Sequence, residues 1–566
     1  MVGMLQISSL RFRAGSAKGE PPLETRPSGV VVLVGPNNSG KSLALREIEQ
    51  WCNAENLDHR VVDSMAVRFP TAPEEALRLA RRFRVPNTPG GPESQLTIAC
   101  YNFDKGEQHS PPVSFQGDTF KDSVVRQDSY NLRLALSRPY TIRLDGRNRL
   151  RLTESMRVDD LLGVPANHLI ALFKDDSARE RVRQLCADAF NLHFVIDPTG
   201  LKELRIRMSE RAPMSSAEEQ SLDQSARAFH SKARSIDEFG DGVKAFVGLV
   251  SVVYSLPHRI ILVDEPEAFL HPPHARRIGG ILSEVSRERQ ASLVVATHSP
   301  DFLIGCVESS DDASIIRLTY DRGVATARSL PANVVAGLAR DPLLRSTDTL
   351  NALFHSAAVI TEGDADRAFY GEMNRRLLMV GRGIKDALFL NAQNKQTVHR
   401  LIEPLRRLGI PAAGIVDLDI LKQGTEWDSL LLACQVPEKR RAEMGVRRER
   451  LEHCFKIVPR SPGVREPMKL SGLAALNSSD QAEARALLEE LSTYGLFAVP
   501  PGELESWLPH LSVGGGKSEW LVRVFSRIGQ SPDEPSYLRP ANDDVWEFLD
   551  RIADWVSKPN RLGVNP

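Results

Sequence analysis

Short apolar runs alternating with amphipathic stretches set the reading of this chain. Val30 to Val34 are five consecutive apolar residues, too few for a helix and suited to a buried parallel strand. That run feeds GPNNSGKS and then LALREIEQW, whose apolar spacing predicts a helix. Upstream, LQISSLRFR alternates like an edge strand, and downstream the runs RIILVD and ASLVVAT flank a predicted helix, HARRIGGILSEVSRE. From about 60 to 235, helical stretches (PEEALRLARRFR, SARERVRQLCADAF) alternate with strand-like ones (SQLTIACYNF, RPYTIRLDG), separated by turn clusters such as NTPGGPE. Such alternation implies an α/β fold, a mostly parallel sheet with helices on its faces.

Near residue 340 the rhythm restarts. AAVITEG, a helix over 364–379, DALFLNA, a helix over 395–408 and PAAGIVDLD predict a second α/β unit, with a boundary around 335–355. Beyond 430 come two helical stretches, PEKRRAEMGVRRER and SSDQAEARALLEELSTYG, then FAVPPGELESWLP and a tail rich in tryptophan and acids. The expected division is 1–335, with an inserted segment at about 60–235, then 345–520, then a helical tail at 521–566.

Composition narrows the function classes. The 566 residues leave room for three or four compact units. Lysine and arginine total 72 against 73 acids, so no global basic field advertises nucleic acid, and any such partner must be held by local patches. Six scattered cysteines (Cys52, Cys100, Cys186, Cys306, Cys434, Cys454) form no CxxC pair, which favours reduced thiols in a cytoplasmic protein. No apolar stretch approaches the roughly 18 residues of a membrane span, and the N-terminus lacks a leader pattern.

Two places carry chemistry. Gly35-Pro36-Asn37-Asn38-Ser39-Gly40-Lys41-Ser42 matches GxxxxGK[ST] between a buried strand and a helix. The glycines let backbone N–H groups turn around a triphosphate, Lys41 reaches the β and γ phosphates, and Ser42 ligates Mg²⁺. Asp264 and Glu265 end the second apolar strand, where Asp264 is expected to complete the Mg²⁺ shell and Glu265 to act as general base. Thr297-His298-Ser299-Pro300 ends the third, placing an imidazole at the ligand-binding edge of the sheet. In the back half, Glu362-Gly363-Asp364-Ala365-Asp366 follows one strand and Asp417-Leu418-Asp419 another. If those strands are parallel neighbours, their carboxylates converge to hold one or two Mg²⁺ ions against a phosphodiester.

GPNNSGKS, ILVDEPEAFLHP and VVATHSP together resemble the ABC-type ATPase heads of the SMC, RecF and OLD (overcoming lysogenization defect) group. The resemblance implies that His298 senses the γ phosphate and that a signature segment from a second copy closes the ATP site. The best match to that segment is 235–244, with Gly240 and Gly242 in FGDGVK. A homodimer or higher even-numbered oligomer follows as an inference. Gln116 is a weak candidate for the glutamine-bearing loop. EGxxD followed by DxD is similar to the Toprim domain of topoisomerases, primases and OLD nucleases. That likeness implies metal or acid/base roles for Glu362, Asp366, Asp417, Asp419 and Glu505, with Glu503 as the alternative to Glu505. It also implies a transition-state role for Lys517. The succession of the two domains in one chain is the OLD order, with residues 1–335 as the ATPase and 345–520 as the Toprim domain.

The resemblance therefore implies an ATP-regulated endonuclease using ATP and Mg²⁺, with Mn²⁺ admissible at the Toprim site, and DNA as its target. Relatives include the Gabija nuclease subunit and retron-associated nucleases, which implies anti-phage defence and a possible partner protein or retron RNA/DNA. Two rivals remain at this stage: an RNase acting on RNA or tRNA, and a non-cleaving ATP-gated sensor. Basic clusters at Lys439, Arg440, Arg441, Arg447, Arg448 and Arg450, and at Arg138, Arg143, Arg147, Arg149 and Arg151, are candidate phosphate contacts. At 6% aromatic residues, a charged groove is expected over a base-stacking platform.

Overall fold

The computed structural model describes residues 5–564 apart from 56–57, 85–94, 101–109, 147, 159, 256, 311 and 460–465. The turn cluster predicted at 87–93, Arg147 and the Cys100 side chain lie outside the described residues. Two compact units divide the chain: residues 1–34 and 38–332 make one, residues 35–37 and 333–566 the other.

The framing strands of the first unit are β1 (Gln6–Phe12), β2 (Val30–Val34), β3 (Val62–Arg68), β4 (Thr141–Leu144), β5 (Ile260–Asp264), β6 (Ser292–Ala296), β7 (Ser314–Asp321) and β8 (Val324–Leu330). Strands β8-β7-β2-β6-β5-β4, in that order, form a six-stranded sheet that is parallel except for β8. All five residues of β2 and of β6 are buried, as continuous apolar runs in a two-sided sheet must be. The alternating stretch β1 stands outside that sheet, paired antiparallel with β3. The segment 60–235 supplies strands as well as helices, and one of them, β4, joins the central sheet beside β5. The β7–β8 hairpin goes beyond what the apolar pattern predicts. The helices that matter below are α1 (Lys41–Cys52), α2 (Asp241–Ser255) and α3 (Pro272–Arg289).

In the second unit β9 (Ala357–Thr361), β10 (Ala387–Asn391), β11 (Ala412–Val416) and a short β12 (Leu496–Ala498) form an all-parallel sheet in the order β10-β9-β11-β12. Its helices include α4 (Asp364–Met379), α5 (Val398–Arg407), α6 (Glu438–Lys456), α7 (Ser478–Thr493), α8 (Lys517–Arg527) and α9 (Asp544–Ser557). The tryptophans of the acidic tail are core residues: Trp507, Trp520, Trp546 and Trp555 pack with Phe369, Tyr370 and Phe497 in one cluster. Residues 521–566 thus complete the second unit's core. Two buried arginines reinforce the connection. Arg376 donates to the carbonyls of Ile528 (2.9 Å), Gly529 (2.6 Å) and Leu538 (2.9 Å). Arg406, wholly buried, donates to the carbonyls of Ala412, Cys434, Tyr494, Gly495 and Gly563 and lies over the Trp555 ring. Hydrogen bonds from a charged donor contribute about 1.5–3 kcal/mol each, which is how a guanidinium is tolerated without a carboxylate partner.

Cys52, Cys186, Cys306 and Cys434 are buried free thiols and Cys454 is half-buried. Among the described residues no helix is long and apolar enough to cross a membrane.

Candidate functional site

The first site is built at the C-terminal edge of the six-stranded sheet. Parallel register sets Asp264 beside Ala296 and Ala296 beside Leu33, so the ends of β5, β6 and β2 lie in a row. Gly35 (φ 136°), Asn38 (φ 60°) and Gly40 (φ 94°) take up left-handed or otherwise glycine-favoured backbone between β2 and α1. That curvature delivers Lys41 and Ser42 as the first residues of α1. Lys41 is 4% exposed, and its Nζ donates to Ser39 Oγ at 3.3 Å. Ser42 Oγ donates to Asp264 Oδ1 at 3.1 Å, joining the phosphate loop to the acid strand. Burial lowers the Lys41 ammonium to about 8 against the pull of Asp264, Glu265 and Glu267. Burial also raises the Asp264 carboxyl, opposed by the Ser42 hydroxyl. Both shifts describe a pair of charges short of solvent.

Glu265 adopts φ 49°, a conformation disfavoured for a residue with a side chain, while its N–H donates to the Ala296 carbonyl (2.8 Å). Its Oε1 lies 4.0 Å from His298 Nε2. Burial, then the Lys41 charge, lowers the His298 imidazole below its ordinary value. Sequence reasoning missed Glu267, whose Oε1 accepts from the His298 N–H at 2.7 Å and so fixes the backbone that carries the imidazole. Its position two residues past the Asp-Glu pair was the available signal. The segment 235–244 runs through a capped turn into α2, and a Cβ on Gly242 would meet the Phe269 carbonyl at 2.8 Å, whereas Gly240 faces open space. Gln116 ends a strand (Ser110–Gln116) that pairs antiparallel with Gln95–Cys100.

The second site lies where β9 and β11, adjacent and parallel, end. Glu362 follows β9, and its Oε1 accepts from the Asp417 N–H at 2.8 Å. Asp366 sits in the first turn of α4, where a carboxylate suits the helix N-terminus. Lys517 starts α8, a poor place for a cation by the same rule, and two carboxylates compensate. Its Nζ lies 3.2 Å from Asp366 Oδ1 and 3.1 Å from Asp417 Oδ2. Asp419 belongs to a neighbouring arrangement: Lys395 Nζ donates to its Oδ2 at 2.9 Å, and Lys469 Nζ lies 3.5 Å from both that oxygen and Glu503 Oε2. The backbone that carries Lys469 is closely packed. The Leu418 N–H donates to the Gly502 carbonyl (2.9 Å), and at Gly502 (φ 118°) a Cβ would lie 2.5 Å from the Met468 carbonyl. Glu503 is buried and shares Lys469 with Asp419, while Glu505 sits in the following turn, half-buried. Lys395 and Lys469 were not foreseen. Lys395 follows the end of β10, a position the strand pattern offered, whereas Lys469 lies in a five-residue helix (Pro467–Ser471) with no sequence signal.

The electrostatics are those of acids crowded out of water. Burial, then Asp417, pushes the Glu362 carboxyl up to about 8, and burial pushes Asp417 to about 6 against the opposing Lys517. Burial raises Asp366 as well. For Lys517 burial acts downward, yet Asp417 and Asp366 outweigh it and hold the ammonium above its ordinary range.

These residues fit a divalent cation in donor chemistry. They are hard carboxylate oxygens, as Mg²⁺ and Mn²⁺ prefer. Five carboxylates (Glu362, Asp366, Asp417, Asp419, Glu503) meet three ammonium groups, so when ionised they fall two positive charges short. Asp419 Oδ1 is also buried with no hydrogen bond. Among the described residues, however, no three acidic, histidine or cysteine side chains form a ready-made metal set. The ion pairs give the reason: Lys517 stands between Asp366 and Asp417, and Lys395 and Lys469 hold Asp419 apart.

The basic clusters behave differently from expectation. Arg447 pairs with Glu483 and Glu490 of α7, Arg448 is buried against the Leu421 carbonyl and Glu452, Arg440 meets Glu443, and Arg450 lies 4.0 Å from Asp480. In the other cluster Arg143 pairs with Glu49 and Asp145, and Arg149 is wholly buried, donating to the Asp264 carbonyl at 2.7 Å. Arg143, Arg149, Arg447 and Arg448 are thus held within the fold, whereas the Arg440 and Arg450 pairs lie on its surface.

Residues 159–304 match the family model described as "AAA domain, putative AbiEii toxin, Type IV TA system". Residues 353–419 match "Overcoming lysogenization defect protein-like, TOPRIM domain". The chain carries an ATPase domain followed by an OLD-like Toprim domain. Similar solved structures include an SMC head bound to the C-terminal winged-helix domain of ScpA, at 15% identity and TM-score 0.33, covering 57% of this chain and 97% of that one. Another is the SMC head domain from Thermotoga maritima, at 14% identity and TM-score 0.29, covering 58% and 99%. A third is cbiO1 from Clostridium perfringens, part of an ABC transporter complex, at 13% identity and TM-score 0.28, covering 59% and 96%. No curated protein matches the chain.

Proposed function

We propose that this protein is an ATP-regulated, metal-dependent endonuclease that acts on DNA in the cytoplasm, in host defence against phage. One observation carries the reading: Asp366 and Asp417 share the Lys517 ammonium, and Glu362, at the end of the adjacent parallel strand, accepts from the Asp417 N–H. Glu362, Asp366, Asp417 and Asp419, with Glu503 or Glu505, are the residues that would hold Mg²⁺ or Mn²⁺. Such an ion, when bound, supplies Lewis-acid stabilisation of the phosphodiester oxygens. Lys517 then meets charge developing on the scissile phosphate, and Asp417 is oriented through its N–H by Glu362. In the head, Gly35, Asn37, Asn38, Ser39, Gly40 and Lys41 cradle the triphosphate, and Ser42 with Asp264 holds its Mg²⁺. Glu265 orients the attacking water, and His298, set by Glu267, reads the γ phosphate. Gly240 and Gly242 would close the site from a second copy, giving an even-numbered assembly. The defence role leans on the family resemblance and on the toxin wording of the matched ATPase model.

The test is a cleavage assay on linear DNA, supercoiled DNA and RNA with Mg²⁺ or Mn²⁺, with and without ATP. Glu362→Ala is expected to abolish cleavage while ATP binding stays intact; cleavage persisting in that variant rejects the site, and cutting confined to RNA replaces DNA as target. A non-cleaving sensor has one observation in its favour, the absence of a ready-made metal set among the described residues. Failure to cut any polymer across both metals and ATP would favour it.

A further inference from the structure

We infer that Lys395 and Lys469 are a phosphate-gripping pair: they neutralise Asp419 and Glu503 while no divalent cation is bound, and transfer to the nucleic-acid backbone when one is. The inference rests on the metal-dependent reading above and adds the residues that couple metal binding to substrate binding.

Three observations carry it. First, the partners of these lysines are the carboxylates a divalent cation would take. Lys395 Nζ is 2.9 Å from Asp419 Oδ2, and Lys469 Nζ is 3.5 Å from that oxygen and from Glu503 Oε2. A divalent cation bound to Asp419 and Glu503 would neutralise the charge that now holds the two ammonium groups and repel them at close range, which weakens both lysine pairs. Second, the pairing is asymmetric. Asp419 is 7% exposed with Oδ1 unpartnered, whereas the lysine side chains are 23% and 38% exposed at the open edge of the sheet. Four-carbon arms with that freedom can turn outward, while the aspartate cannot follow. Third, two arginines of the α6 cluster are committed elsewhere: Arg447 and Arg448 are held by Glu483, Glu490 and Glu452, none of which lies in the acid cluster. Lys395 and Lys469 are therefore cations that metal loading itself frees, and they stand on the same carboxylates that would hold the metal.

The test measures binding on the full chain with Ca²⁺, which takes carboxylate ligands like Mg²⁺ but with looser geometry, using labelled duplex DNA, single-stranded DNA and RNA of one sequence. In parallel, Mn²⁺ is titrated in the absence of nucleic acid. For Lys395→Gln combined with Lys469→Gln, affinity in Ca²⁺ is expected to fall at least tenfold. The slope of log affinity against log salt on duplex is expected to shrink by about 1.8, two phosphate contacts' worth. Affinity without divalent cation should barely change, Mn²⁺ should bind several-fold more tightly, and Lys395→Arg should keep wild-type affinity. An unchanged melting temperature in saturating Mn²⁺ and an unchanged ATP affinity exclude misfolding. Unchanged nucleic-acid affinity and an unchanged Mn²⁺ isotherm overturn the inference while leaving the nuclease reading intact. Wild-type protein that binds no Mn²⁺ overturns both.

Discussion

Asp417 Oδ2 and Lys517 Nζ, one hundred residues apart in sequence, lie 3.1 Å from each other, and Asp366 holds the same ammonium from its other side. The first lysine of α8 thus bridges two carboxylates of the acid cluster, which makes the cluster's behaviour without metal predictable.

With no divalent cation, raising the pH should destabilise the Toprim domain. Glu362 is held near 8 and Asp417 near 6, both above their ordinary 4.5 and 3.8, so the folded state binds more protons than the unfolded chain across that window. The stability they contribute is complete below about pH 4 and is lost as pH climbs to about 8. Melting curves in EDTA should therefore move down between pH 5 and 8. Added Mg²⁺ should restore more at pH 8 than at pH 5, and Glu362→Gln should flatten the dependence.

Removing the lysine from that cluster should separate stability from chemistry. Lys517→Met leaves Asp366 and Asp417 facing each other, so the metal-free protein should melt several degrees lower, with Mn²⁺ recovering most of the loss. Cleavage should fall by about 10²-fold or more even with metal present, as when a transition-state donor is deleted.

In the head, Lys41→Ala should abolish binding of a labelled ATP analogue. Glu265→Gln should keep binding but slow hydrolysis by roughly 10²–10⁴-fold, the usual contribution of a general base. Because Glu267 acts on His298 through a backbone N–H, Glu267→Gln should lower hydrolysis about tenfold with little change in ATP affinity. Phosphate release and equilibrium binding measured side by side resolve the three.

Arg406→Met should cost on the order of 3 kcal/mol or more of Toprim stability, since several buried carbonyls lose their charged donor together. Chemical denaturation of the variant beside wild type provides the measure.

The strand ends were legible because each of their motifs is continuous: GPNNSGKS, DEPEAF, EGDAD and DLD each announce a turn after an apolar run, and the helix expected at 364–379 falls on α4. What could not be read depends on distant partners. Nothing local marks Lys469 as Asp419's neighbour, fifty residues on, and nothing in RRAEMGVRRER reveals that Glu483 and Glu490 absorb Arg447. The core role of the tryptophans is invisible in the tail itself because their burial depends on Phe369 and Tyr370, far upstream.

The Arg406 contact with the Gly563 carbonyl has a temporal meaning. A ribosome makes the ATPase half first, and that half can fold while the rest is still being translated. The second unit lacks its closing clasp until residue 563 has left the exit tunnel. A stalled or prematurely ended product therefore carries the first unit beside a second one whose core is still open.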